Sequence, residues 1–226
     1  MSTPAASKGG TLLAIDTATS RVVVARGGFD GTLEDAAGWP AGYQHGESLL
    51  PAIERLLEPA GGRAAIGAVV VGTGPGAFTG LRVGIATAKG LAHGLGCPIV
   101  GVPTGLALLA AVPGAGALLL PAGPNDRVLV RPGAPARHLP GGTDPELRSG
   151  ERLVAVDLEG RAPEEALELG RVAHDGLAAA LLRLGAERLA AESRGDDLEA
   201  LVPDYVTLPR GVTATTGEVA WSHDPR

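Results

Sequence analysis

Residues 69–94 read VVVGTGPGAFTGLRVGIATAKGLAHG: a β-branched apolar run breaks into a glycine-rich loop and resumes as an apolar helix. Unbroken hydrophobicity over 69–71 is the pattern of a strand buried on both faces. Gly72, Gly74, Gly76 and Gly80 allow close backbone approach and Pro75 stiffens the turn, so the connection is tight and its N–H groups can point outward. The motif loop is Gly74, Pro75, Gly76, Phe78, Thr79 and Gly80, and a helix is expected over 81–95. Such a loop opening a helix is a natural anion cradle. A Walker A loop would need Lys and Ser/Thr where Thr79 and Gly80 stand, so that reading fails. Residues 72–77 fit a loose dinucleotide pattern, but the next strand, 98–102, ends in Pro103-Thr104 with no acid for a ribose. Glycines that only let a helix pack close to a sheet remain an open reading.

The helix carries Gly80, Gly84 and Ala88 on one side and Ala86, Gly90 and Gly94 on another, with Arg82, Lys89 and His93 as a thin polar stripe. Interior glycines cost about 1 kcal/mol each relative to alanine, which close approach of a second backbone would offset. Upstream, an apolar strand over 11–15 ends at Asp16-Thr17-Ala18-Thr19, and a second strand follows from Arg21. An acid and hydroxyls at the tip of a strand pair resemble the layout with which the actin, hexokinase and Hsp70 class meets nucleotide phosphate and magnesium. A plain polar hairpin turn uses the same residues. Residues 45–58 place Leu49, Leu50, Ile53, Leu56 and Leu57 at helical spacing, with Pro51 in the first turn or at a kink. His45-Gly46-Glu47 imitates the HxE of zinc deaminases, but the completing PCxxC is reduced to Cys97-Pro98.

Residues 72–104, together with LLAIDTAT at 12–19 and QHGESLLPAIERLL at 44–57, resemble in order the motifs of the TsaB (YeaZ) family, and PDYVTLPRGV at 203–212 resembles it thinly. The likeness is dense in the first half of the chain and sparse in the second. It implies an α/β fold of two actin-like (ASKHA, RNase H-like) lobes, each a mixed sheet with helices. It also implies a non-catalytic subunit that binds a TsaD-type subunit, helped by a TsaE-type ATPase, for threonylcarbamoyl transfer to adenosine of tRNA. Metal and ATP would then belong to the partners, with none bound by this chain alone; tRNA would be met only through the complex, and the chain alone would form a homodimer. The two metal-binding histidines of the TsaD relatives fall here at Thr104 and Leu108, which cannot make a transition-metal site. The partner interface is expected at Leu49, Ile53, Gly80, Arg82, Gly84, Thr87 and Ala88. Asp16, Thr17 and Thr19 are expected as a vestigial phosphate turn, because Pro121-Ala122-Gly123-Pro124 replaces the family's acidic second-lobe motif. The alternative is an independent enzyme, either an actin-like phosphotransferase or ATPase or a Gcp-like peptidase.

The chain has 226 residues, 45% of them hydrophobic but only 3% aromatic, so its cores must be built from Ala, Val, Leu and Ile. A net charge of −6 gives no general attraction for nucleic acid. Residues 1–10 are expected to be disordered, 11–112 to form the N-terminal lobe, and 113–210 the C-terminal lobe with its last segment packing back on the first; 211–226 reads as a polar tail. No signal-peptide pattern or spanning run is visible, so a cytoplasmic protein off the membrane is expected. Cys97 reads as an ordinary buried thiol. Residues 132–150 are rich in Pro and Gly and are expected to form a mobile excursion. The long helix over 162–184 should turn Leu167, Val172, Leu177, Leu181 and Leu184 inward and leave His174 solvated beside Asp175.

Overall fold

The computed structural model describes residues 10–42, 45–205, 212–215 and 218–221, without the side chains of 45–47, 212–215 and 218–221. The expectation for 1–9, and the imidazole and carboxylate of the HxE tripeptide, lie outside the described residues.

The first sheet is built from β1 (Thr11–Asp16), β2 (Arg21–Gly27), β3 (Leu33–Pro40), β4 (Ile66–Gly72) and β5 (Ile99–Val102) in the order β3-β2-β1-β4-β5. β1–β2 and β2–β3 are antiparallel, while β1–β4 and β4–β5 are parallel. The second sheet takes β6 (Ala115–Pro121), β7 (Arg127–Val130), β8 (Arg137–Leu139) and β9 (Arg152–Ala155) in the order β8-β7-β6-β9, again antiparallel on one side of its first strand and parallel on the other. The same strand order thus occurs twice. This is the actin-like, RNase H-like α/β arrangement.

Alternation along the strands sends successive side chains to opposite faces, and here both faces are covered. Leu13 and Ile15 of β1 join one core with α1 (His45–Leu57) and α2 (Phe78–Leu95). Leu12 and Ala14 join a second core with α3 (Thr104–Ala110), α4 (Glu164–Ala191) and one face of the second sheet. α3 and α4 are therefore a shared middle layer between the two sheets. α4 comes close enough for this because it carries glycine at the contacts: a Cβ at Gly170 would run into the Ala155 carbonyl, and one at Gly185 into Val70.

Several elements differ from the sequence expectation. Val172 is 49% exposed, whereas Leu167, Leu177 and Leu181 are buried. Five residues separate 172 from 177, about 140° around a helix, which turns Val172 away from the packed stripe. Pro51 lies inside α1 and is exposed on its outer side. The 132–150 segment holds β8 and is tied down: the Arg131–Glu151 ion pair, at 2.7 Å, is nearly buried, and Arg131 Nη2 also donates to the Glu146 carbonyl at 2.7 Å. Cys97 is only half-buried, and that burial pushes its thiol pKa up. Within the described part of the polar tail, β10 (Val212–Thr215) pairs antiparallel with β11 (Glu218–Trp221). Among the described residues no helix is long and apolar enough to cross a membrane.

Candidate functional site

The C-terminal ends of β1, β4 and β5 converge on a buried polar knot. Asp16 is 0% exposed; its Oδ2 accepts a hydrogen bond from Thr104 Oγ1 at 2.6 Å and its Oδ1 one from the Ala18 N–H at 2.9 Å. Thr104 Oγ1 in turn accepts from the Gly74 N–H at 3.1 Å, so the acid is stitched to the glycine loop through the first residue of α3. Burial pushes the Asp16 carboxyl up to about 6, against the opposing pull of the bonds from Thr104 and Ala18. Gly72 has to be glycine here, since a Cβ would overlap the Asp16 carboxylate. Thr17 is also buried and donates its hydroxyl to the Gly80 carbonyl at 2.7 Å.

The glycine loop wraps around this turn. Ala77 N–H donates to the Ala18 carbonyl at 2.7 Å, and Cβ atoms at Gly76 or Gly80 would strike the carbonyls of Ala18 and Thr17. Gly74 has a φ of +104° and precedes a cis bond to Pro75. Close packing of α2 on the β1–β2 turn is therefore what these glycines accomplish. Gly84 continues the row, its α-carbon facing the Thr17 hydroxyl, and Ala88 is 0% exposed. Of the residues expected at a partner surface, Gly80 and Gly84 instead face this chain's own β1–β2 turn, and Ala88 packs in the core beneath α2. Leu49 and Ile53 receive the same correction, at 1% and 0% exposure inside the core under α1 and α2.

The outward face carries different residues. Arg82 and Ala86 are exposed and Thr87 is partly so; Gly90 and Gly94 have nothing within 4 Å of where a Cβ would stand, and Leu50 on α1 is 48% exposed. At the N-terminal end of this face Arg82 stacks 3.9 Å from the centre of the Phe78 ring, and its Nε donates to the Tyr205 hydroxyl at 2.9 Å. Thr79 is exposed beside them. Tyr205 gets there because residues 195–205 run back along the first sheet, with Asp196 N–H donating to the Ile99 carbonyl, Asp204 N–H to the Thr73 carbonyl, and Leu201 buried.

Between the sheets lies a cleft of about 480 Å³ lined by Thr17, Thr19, Ser20, Gly76, Phe78 and Asp157 among others. Asp157 crosses it: its carboxylate accepts from the Ser20 N–H at 2.7 Å and from the Ser20 hydroxyl. Asp157 is the one non-glycine residue at positive φ among the described residues, at +57°. An acid of the second lobe thus does face the turn, from the end of β9 and not from the Pro121 region. Thr19 bonds the Arg21 carbonyl and meets His174 Nε2 at 3.2 Å, so His174 is a half-buried bridge and not a solvated neighbour of Asp175. Burial lowers the His174 pKa, with Asp157 opposing. Asp157→Gly keeps the backbone conformation and removes the strap. We expect amide exchange at residues 18–21 to accelerate roughly tenfold or more, the loss of about one charge-assisted bond. Hydrogen exchange read by mass spectrometry checks this, and unchanged protection at those amides would refute it.

Residues 40–132, which span α1 to the start of the second sheet, match the family model described as TsaD: tRNA N6-adenosine threonylcarbamoyltransferase. The tRNA threonylcarbamoyladenosine biosynthesis protein TsaB of Escherichia coli is 42% identical over 94 residues, 41% of this chain and 40% of that protein. An uncharacterized protein of Mycobacterium leprae is 46% identical over 96 residues, 40% of this chain and 26% of that protein. The chain thus spans less than half the length of the curated relatives it matches. The solved structure of YeaZ from Pseudomonas aeruginosa superposes over 87% of this chain and 100% of its own, with a TM-score of 0.66 at 26% identity. These likenesses together support kinship with the TsaB/YeaZ family.

The TsaD-type model match contains α1, the glycine loop, α2 and α3, so both outward-facing helices of the first lobe fall inside the segment shared with TsaD-type proteins. The likeness to TsaB and YeaZ proteins agrees with the ordered motifs at 12–19, 44–57 and 72–104. Sequence reasoning missed Asp157, His174 and Tyr205, which join the site from 137, 155 and 123 residues away. A usable signal existed for Asp157 alone: an Asp just past a strand is among the few non-glycine residues suited to positive φ. Among the described residues no three His, Cys, Asp or Glu side chains come together as a metal site would require.

Proposed function

We propose that this chain is a non-catalytic subunit in threonylcarbamoyl transfer to tRNA adenosine, and that it docks a TsaD-type subunit through the outer faces of α1 and α2. The observation that carries the reading is the open row Ala86, Gly90 and Gly94 beside exposed Leu50 and Arg82, on helices inside the segment that resembles TsaD-type proteins. A row of small side chains at i, i+4 and i+8 lets a second helix approach closely. The same face would pair with its own copy when the partner is absent, giving a twofold dimer. A TsaE-type ATPase, the ATP it uses, the catalytic metal and the tRNA would all be engaged through the complex, in the cytoplasm.

The competing reading is an actin-like phosphotransferase or ATPase, or a Gcp-like peptidase. Against the first stands the state of its would-be phosphate turn: Asp16 has no exposed surface, and the hydroxyl of Thr17 is spent on Gly80. ATP with magnesium titrated into the isolated chain separates the two, because micromolar binding would favour the enzyme. For the docking surface the decisive variant is Ala86→Arg. It should stay folded yet weaken TsaD-type binding by roughly 30-fold or more, the effect of about 2 kcal/mol at the centre of an interface. Wild-type copurification by the folded variant would place the interface elsewhere.

A further inference from the structure

A cavity of about 700 Å³ lies in the second lobe, where the 141–144 loop meets the segment leading into α4. Two arginines line it. Arg127, the first residue of β7, is 6% exposed; its Nη1 donates to the Arg161 carbonyl at 3.1 Å and its Nη2 to the Thr143 carbonyl. Arg161 donates to the carbonyls of Gly123, Pro124 and Asp157 at 3.2, 2.9 and 3.4 Å. Neither guanidinium has a carboxylate within 4.0 Å among the described residues, in contrast to Arg131 just past the end of β7, which holds Glu151 at 2.7 Å.

Removing a guanidinium from water costs several kcal/mol unless a negative charge accompanies it, and carbonyl dipoles offset only part of that. Each arginine has five N–H donors in a planar fork. Arg127 commits two of its N–H groups to carbonyls and Arg161 two nitrogens. Asp144 is the only carboxylate among the cavity's lining residues, so two cations face one anion across a space large enough for a small molecule.

We propose that this cavity is a binding site for a small phosphorylated ligand, held by Arg127 and Arg161 through fork-type contacts to phosphoryl oxygens. The glycine-rich 141–142 backbone, pinned by the bond from Gly141 N–H to Asp126 Oδ1 at 3.0 Å, forms its outer wall. This gives the Pro/Gly-rich excursion a role: it closes a pocket over a buried arginine. The site is on the second lobe and stands independently of the docking face on α1 and α2.

Inorganic pyrophosphate is the probe, titrated calorimetrically into the full chain at physiological ionic strength. The wild type should bind it saturably at one site, and Arg127→Gln should weaken binding about 10- to 100-fold, the effect of one charge-assisted contact. Arg161→Gln on the opposite wall should do the same. It carries the test if the Arg127 variant does not fold, together with protection of the Gly141 and Gly142 amides in the wild type on adding pyrophosphate. Absence of saturable binding by the wild type, or binding of equal strength in the folded variants, would overturn the proposal and leave Arg127 as a staple between the 143 and 161 carbonyls.

Discussion

Replacing Gly84 by leucine is expected to destabilise the first lobe strongly, whereas the same replacement at Gly90, six residues along α2, leaves it at least as stable as the wild type. At Gly84 a Cβ would overlap the Thr17 hydroxyl, and Thr17 cannot turn away without surrendering its bond to the Gly80 carbonyl. Overpacking of this kind costs about 1–3 kcal/mol or more, and an orphaned buried hydrogen-bonding group roughly another 1–3. The gain in helix propensity returns only about 1 kcal/mol. The remainder is a large fraction of the roughly 5–15 kcal/mol by which a domain is stable. At Gly90 no atom lies within 4 Å of the new Cβ, so the propensity gain stands alone. Urea unfolding of the two variants decides it. If Gly84→Leu unfolds at the wild-type midpoint, the packing of α2 on the β1–β2 turn is not as described. Loss of partner binding in that variant would carry no information about the docking face, which is why Ala86→Arg is the proper probe.

The second large effect is a pH dependence written into Asp16. Its carboxyl is raised by burial from 3.8 to about 6, so between those values the folded chain keeps a proton that the unfolded chain has released. Stability from this group is full below the unfolded value and is lost as pH rises through about 6. A span of roughly two units corresponds to about 3 kcal/mol. Glu151 acts in the opposite sense, since Arg131 holds it down at about 2, but its contribution is lost only as pH falls below its ordinary 4.5. Asp16→Asn should therefore flatten the fall in urea midpoint between about pH 4 and pH 6.5, because an amide has no proton to lose there. Parallel curves for variant and wild type would show that Asp16 does not titrate in that window.

Much of the first lobe is legible from local spacing. Continuous Val69-Val70-Val71 is a strand covered on both faces, and Leu49, Ile53, Leu56 and Leu57 recur at the helical period in α1. That period also sorted α2 into two rows of small residues. It could not say which row points inward, because Gly80-Gly84-Ala88 and Ala86-Gly90-Gly94 are nearly equal in size and polarity. The choice rests on Thr17, 63 residues before Gly80 in the chain, whose hydroxyl and carbonyl fit against one row and not the other.

By itself, then, the sequence determined the principal strands and helices of the first lobe, the doubly covered strand at 69–71 and the identity of the tight loop, since each follows from residue spacings within a short window. Tertiary structure alone decided that Asp157 straps Ser20 across the cleft and that His174 reaches Thr19. Those facts depend on how two sheets stack across a shared helical layer. Contacts between residues more than a hundred positions apart are set by that stacking, and no local pattern carries them.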